Sequence, residues 1–129
     1  MTRKRSAGIR WIKGSRDIRS LRRTGRFSRG RFVLVWTSPA SRESIDAPLV
    51  GVVSARGFGK AVERNLARRR VRGCIMEMRH LLRPGASYLV ECRPGAQSAD
   101  YQLLAIEMGT ILAGDLNCES KKSGSAGEI

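Results

Sequence analysis

Residues 64–72 gather the side chains best suited to recognition chemistry: Arg64, Asn65, Arg68, Arg69 and Arg72. Arg64, Arg68 and Arg72 repeat at i, i+4 and i+8, and Asn65 and Arg69 pair at i, i+4. On a helix these five fill an arc of roughly 140°. Ala67, Val71, Cys74, Ile75, Met78, Leu81 and Leu82 fall in a neighbouring arc of roughly 120°, the pattern of a core-facing stripe. Like charges one helical turn apart destabilise a helix. Glu63 is the one carboxylate close by, and the projection turns it toward the other side. Arg64 and Arg68 also stand near the helix N-terminus, where they add to the positive end of the dipole. A polyanion relieves all of this, and the guanidinium fork suits phosphate.

Other chemistries fit less well. A phosphate-binding loop ending at Gly59-Lys60 would need Gly where Ser54 stands and Ser or Thr where Ala61 stands. Neither Gly57-Phe58-Gly59 nor the residues after it complete a dinucleotide-binding turn. Cys74 and His80, the single histidine, diverge by about two-thirds of a turn on one helix, which places His80 at the edge of the core stripe. Cys74, Cys92 and Cys118 are odd in number and widely spaced, so they frame neither disulfides nor zinc, and the first two fall in core segments. No paired carboxylates suggest acid–base hydrolysis. No catalytic side chain and no metal ligand set is expected in this chain.

Charge patterning across the chain supports the polyanion. Lys and Arg total 25 against 11 Asp and Glu, a net charge of +14, and Arg outnumbers Lys 20 to 5. Residues 1–31 carry a balance of +11 and residues 56–83 one of +7, while 32–55 and 84–129 are slightly acidic at −1 and −3. Two basic blocks on an otherwise unbasic frame form an electrostatic footprint for nucleic acid. Neither block has the broad apolar face of a membrane-surface helix. No 18-residue apolar run and no signal-like segment occurs, so the expected compartment is the cytoplasm.

The elements that must position these residues are legible from periodicity and breakers. Residues 1–14 read as a basic flexible arm, 15–114 as one α+β domain and 115–129 as a disordered tail. Ser15 is placed to cap a helix over 16–24, and Gly25 to end it. A short strand near 26–29 precedes a strand at 31–37 read as buried on both faces, and 48–55 reads as its hairpin partner across the polar loop 38–48. The long helix spans 60–82 and stops at Arg83-Pro84-Gly85. A strand at 86–92 follows. Ser98 then caps a helix to 113 whose stripe is Tyr101, Leu104, Ala105, Met108, Ile111 and Leu112.

Gly59-Lys60-Ala61-Val62-Glu63-Arg64-Asn65-Leu66-Ala67-Arg68-Arg69-Arg70-Val71-Arg72 resembles the signature of the bacterial ribonuclease P protein family, and the order of elements over about 12–113 is similar too. The resemblance implies an α-β-β-β-α-β-α order and a mixed sheet with helices packed on it. It also implies an unusual left-handed crossover through the signature helix, against the usual hand. By the same resemblance, Arg56, Lys60, Arg64, Asn65, Arg68, Arg69 and Arg72 contact a catalytic RNA, with Gly59 at the turn. Leu66 and Gly57 replace basic residues of the family pattern.

The family implies further that a cleft between the first helix and the sheet holds the 5′ leader of precursor tRNA. Ile18, Arg22 and Val35 stand there in place of aromatics, and Phe27, Phe32 or Trp36 could compensate. Arg22 can stand in for a ring, stacking on a base while neutralising phosphate. The implied partners are the catalytic RNA, in a 1:1 complex with a monomeric protein, and precursor tRNA, with no membrane. Mg²⁺ would act through the RNA, which would perform the hydrolysis. The alternative is a ribosomal-type or RNA-chaperone protein that binds structured RNA without any nuclease role. A stand-alone nuclease lacks the side chains it would need.

Overall fold

The computed structural model describes residues 8–39 and 46–114. Residues 1–7 of the expected arm, part of the 38–48 loop, and the expected tail with Cys118 lie outside the described residues. The elements are β1 (Arg10–Trp11), α1 (Ser15–Thr24), β2 (Arg26–Arg29), β3 (Val33–Ser38) and β4 (Leu49–Ser54). They continue with α2 (Ala61–Glu77), a 3₁₀ turn (Arg79–Leu81), β5 (Ser87–Cys92) and α3 (Tyr101–Gly114). One mixed sheet runs β1-β4-β5-β3-β2.

β4 does not form a hairpin with β3. β5 lies between them, parallel to β4 and antiparallel to β3. Tyr88, Leu89 and Val90 are all buried, so β5 has apolar partners on both faces and takes the centre of the sheet. The chain passes from β4 to β5 through α2, the crossover that a parallel pair requires.

The two faces of the sheet are unequal. Val33, Val35, Val50, Val52, Tyr88 and Val90 point to the side where α2 and α3 close the main core with Val71, Ile75, Leu104 and Met108. The opposite face carries α1, which packs on β3 and β5. Ten residues of helix cover it only in part, so Leu34 and Trp36 are half-buried and β3 is not sealed on both sides.

Several boundaries move for local reasons. Ser15 is the first helical residue of α1, Gly14 is the N-cap, and no side chain caps it. Gly25 ends the helix with its N–H on the Leu21 carbonyl, 2.8 Å away. A Cβ on Gly25 would sit 2.6 Å from that oxygen and 3.1 Å from the Trp36 Cβ, so glycine is needed for close approach. The long helix ends at Glu77, and Met78 leads into the 3₁₀ turn. The residue before Pro84 disfavours α-helix, and Leu82 is extended, which returns its side chain to the core. α3 begins at Tyr101 and not after Ser98. Arg70 donates to the carbonyls of Ala96 at 2.8 Å and Ala99 at 2.5 Å, which holds this stretch as a turn. Asp100 becomes the cap, its Oδ1 accepting the Gln102 N–H at 2.8 Å.

Part of the expected arm belongs to the sheet. β1 pairs in parallel with Leu49 and Val50, Ile12 N–H reaches the Val50 carbonyl at 2.8 Å, and Ile9 and Trp11 pack against the main core. Ile12 lies over Gly51, where a Cβ would meet Ile12 Cδ1 at 2.9 Å. A side chain at residue 51 would therefore crowd Ile12 and force it to shift.

Candidate nucleic-acid interface

α2 presents two faces. Ala67, Val71, Cys74 and Ile75 are buried in the core. Arg64 and Arg68 are half-buried, and Asn65, Arg69 and Arg72 are exposed, as are Arg56 and Lys60 at the turn that leads in. That turn needs glycine at two places, with φ +75° at Gly57 and +141° at Gly59. A Cβ at residue 59 would also fall 2.5 Å from Glu63 Oε1. Glu63 folds back onto its own N-terminus, accepting the Lys60 N–H at 3.1 Å, and leaves the arginines alone.

Neutral groups hold the guanidiniums in place. Arg64 Nη1 donates to the Gly59 carbonyl at 2.5 Å. Arg68 donates to the Asn65 side chain and reaches Ser54 Oγ at 3.4 Å. The Arg72 guanidinium lies 5.7 Å from the centre of the Trp11 ring. Trp11, assigned to a flexible arm from sequence, is thus a support for the basic face. None of these contacts cancels a charge, so the face is ordered and still positive. Arg70 is different: it faces Ala96 and Ala99 and serves the fold.

Cys74 and Cys92 are buried in the core and not presented on this face. Burial pushes the Cys92 thiol up to about 12, despite Arg68 and Arg72 acting in the opposite direction. Burial, with Glu77 nearby, also raises Cys74. Neither is poised as a nucleophile. His80 is exposed on the 3₁₀ turn and not at the edge of the core stripe. No group of three His, Cys, Asp or Glu side chains among the described residues could hold a metal ion.

On the other face of the sheet α1 packs against β3 and β5, where the family resemblance places the leader cleft. Leu21 is buried beneath the helix, and Ile18 is half-buried beside it. Arg22 Nη2 meets Glu91 Oε1 at 2.9 Å, and its guanidinium lies 5.3 Å from the Trp36 ring centre. Phe27 lies across from Trp36 in the β2–β3 register, with ring centroids 5.2 Å apart and planes at 44°. Ile18, Arg22 and Trp36 therefore come together.

Val35 and Phe32 do not join them. Val35 is fully buried in the α2–α3 core, because alternation along β3 sends it opposite to Trp36. Phe32 precedes β3 and packs against that same core. Of the aromatics offered from sequence, Phe27 and Trp36 thus meet on this face. Glu91 was missing from the sequence-derived site, although alternation along 87–92 would have put it beside Leu89.

The family model described as Ribonuclease P matches residues 10–114, from β1 to the last residue of α3. The chain belongs to the ribonuclease P protein family. A ribonuclease P protein component from Thermus thermophilus is 40% identical over 90 residues, covering 70% of this chain and 50% of that protein. The chain thus spans about half the length of this relative. One from Acidothermus cellulolyticus is 30% identical over 101 residues, covering 78% of this chain and 83% of the relative. The solved ribonuclease P protein from Thermotoga maritima superimposes with a TM-score of 0.67 at 20% identity, over 79% of this chain and 94% of that one. The Staphylococcus aureus protein gives 0.65 at 23% identity, over 79% and 91%. These likenesses show the fold: one α+β domain with a mixed five-stranded sheet and three helices. No helix among the described residues is long and apolar enough to cross a membrane.

Proposed function

We propose that this chain is the protein subunit of ribonuclease P and assists removal of the 5′ leader from precursor tRNA. The observation that carries the proposal is the α2 face. Arg64, Arg68 and Arg72 are held by neutral groups, Arg69 is exposed beside them, and no carboxylate among the described residues forms an ion pair with them. Such a face is complementary to the backbone of a folded RNA. The catalytic RNA, with its Mg²⁺, would cut the phosphodiester and leave a 5′-phosphate on the mature tRNA. The protein's own part in this reading is binding. It lowers repulsion between two RNAs and grips the substrate away from the cut, on the α1 side of the sheet.

The fold supports this division of labour. α2 and α1 lie on opposite faces of one sheet, so a rigid RNA helix docked on α2 leaves the α1 cleft open to a second, single-stranded segment. The protein acts as a monomer in a 1:1 complex with the RNA, in the cytoplasm.

Binding to the catalytic RNA should weaken steeply with salt. With on the order of five phosphate contacts, the slope of log affinity against log salt should lie near −4. Filter binding or fluorescence anisotropy between low and physiological salt measures it, and a flat dependence would remove the electrostatic basis of the proposal.

A further inference from the structure

The α1 side of the sheet carries one group that a polyanion site does not call for, the Glu91 carboxylate beside Arg22. Glu91 stands in register between Leu34 of β3 and Val53 of β4, so its strand neighbours on that face are apolar. Its side chain is 13% exposed, while that of its partner Arg22 is 43% exposed. A carboxylate at that depth needs a partner, because unpaired it would bear a desolvation cost. The ion pair fixes Arg22 beside Trp36, and the Trp36 ring in turn meets Phe27. Arg22, Trp36 and Phe27 form a row of planar groups, open at the Phe27 end, where that residue is 51% exposed.

We propose that Glu91 is a positioning residue that converts Arg22 from a phosphate ligand into a stacking plane, so that the cleft grips single-stranded RNA mainly by its bases. This rests on the cleft being the leader site. A guanidinium already neutralised within the protein gains little from a phosphate and releases few counterions when RNA arrives. The guanidinium face turned away from Trp36 remains available to a base. Free arginines would hold any backbone, whereas a row of planes favours the bases that stack best.

The test uses the reconstituted holoenzyme and precursor tRNAs with leaders of zero and about eight nucleotides. The ratio of the two affinities, measured across a salt series, isolates the leader's contribution and its salt slope. Arg22→Gln should reduce the leader-dependent gain several-fold and leave its slope unchanged. Glu91→Gln frees Arg22 for phosphate and should steepen the slope by about 0.7, which is about 2.5-fold between roughly 50 and 200 mM salt. Adding Arg22→Gln to Glu91→Gln should restore the wild-type slope.

Two results overturn the proposal: Arg22→Gln flattening the wild-type slope by about 0.7, or Glu91→Gln leaving it unmoved. If either single variant fails to fold, as Arg22→Gln could by leaving Glu91 unpaired, the slope of the other decides alone. A wild-type protein with no leader-dependent gain would refute the leader-site reading and this proposal together. A normal gain with the wrong slopes refutes this proposal alone.

Discussion

Arg68→Ala and Arg72→Ala should each weaken binding to the catalytic RNA by ~1–3 kcal/mol, and the double variant by roughly 30-fold or more. Both guanidiniums stand on the face of α2 turned from Val71 and Ile75, and neither contributes to the buried core. Thermal stability should therefore change little. For Arg68 the change removes bonds to Asn65 and Ser54, exposed or half-buried polar groups that water can satisfy. For Arg72 it removes a contact with Trp11, worth about 0.5–1 kcal/mol at an exposed site. The loss should be nearly uniform across RNA sequences, since phosphate contacts carry no base information. Titration of the folded variants against the catalytic RNA, beside a melting curve, separates the two roles. Variants that unfold yet bind RNA normally per folded molecule would mean that the helix faces have been assigned the wrong way round.

Glu107→Ala should cost about 2–4 kcal/mol of folding stability, the range for losing charge-assisted bonds to partly buried donors. The Glu107 carboxylate, on α3, accepts three successive backbone N–H groups: Arg31 at 2.8 Å, Phe32 at 2.7 Å and Val33 at 3.0 Å. It thereby ties the C-terminal helix to the turn joining β2 and β3. Gly30 permits the approach, since a Cβ there would fall 2.2 Å from Glu107 Oε2. For a domain of this size the loss should lower the melting temperature by roughly 10 °C. Glu107→Gln keeps one acceptor oxygen and should fall between wild type and Glu107→Ala. A melting temperature within a degree or two of wild type for Glu107→Ala would show that water replaces the carboxylate at no cost. RNA affinity should be unchanged per folded molecule in either case.

The sequence revealed most where one period dominates. The 3.6-residue spacing over 64–82 separates Ala67, Val71, Cys74 and Ile75 from the arginines without ambiguity, and the structure keeps that division. Strands were visible as β-branched and aromatic runs, but their neighbours were not. Which of β3, β4 and β5 lies in the centre depends on contacts between distant segments, and local pattern carries no trace of it. The same holds for parity along β3. Val33, Val35, Leu34 and Trp36 are all apolar, so alternation alone cannot say which set meets α2 and which meets α1. Val35 was misplaced for that reason.

Other features depend on single tertiary contacts. β1 has two residues, too few for any propensity signal, and exists because Pro48 and Val50 offer carbonyls to Arg10 and Ile12. The start of α3 moves from Ser98 to Asp100 because Arg70 claims the carbonyls of Ala96 and Ala99. The tie from Glu107 to residues 31–33 spans most of the chain and has no sequence signature. Glu91 was invisible for a similar reason, since its meaning depends on α1 laying Arg22 over it.

In the proposed reading, this chain supplies binding and the RNA supplies the cut. The most direct measurement is cleavage of precursor tRNA at low Mg²⁺ with protein alone, with the cognate catalytic RNA alone, and with both. The account predicts no cleavage by the protein, weak cleavage by the RNA, and strong cleavage with both, leaving a 5′-phosphate on the mature tRNA. Cleavage by the protein alone would contradict it, and so would an RNA whose activity the protein binds without stimulating.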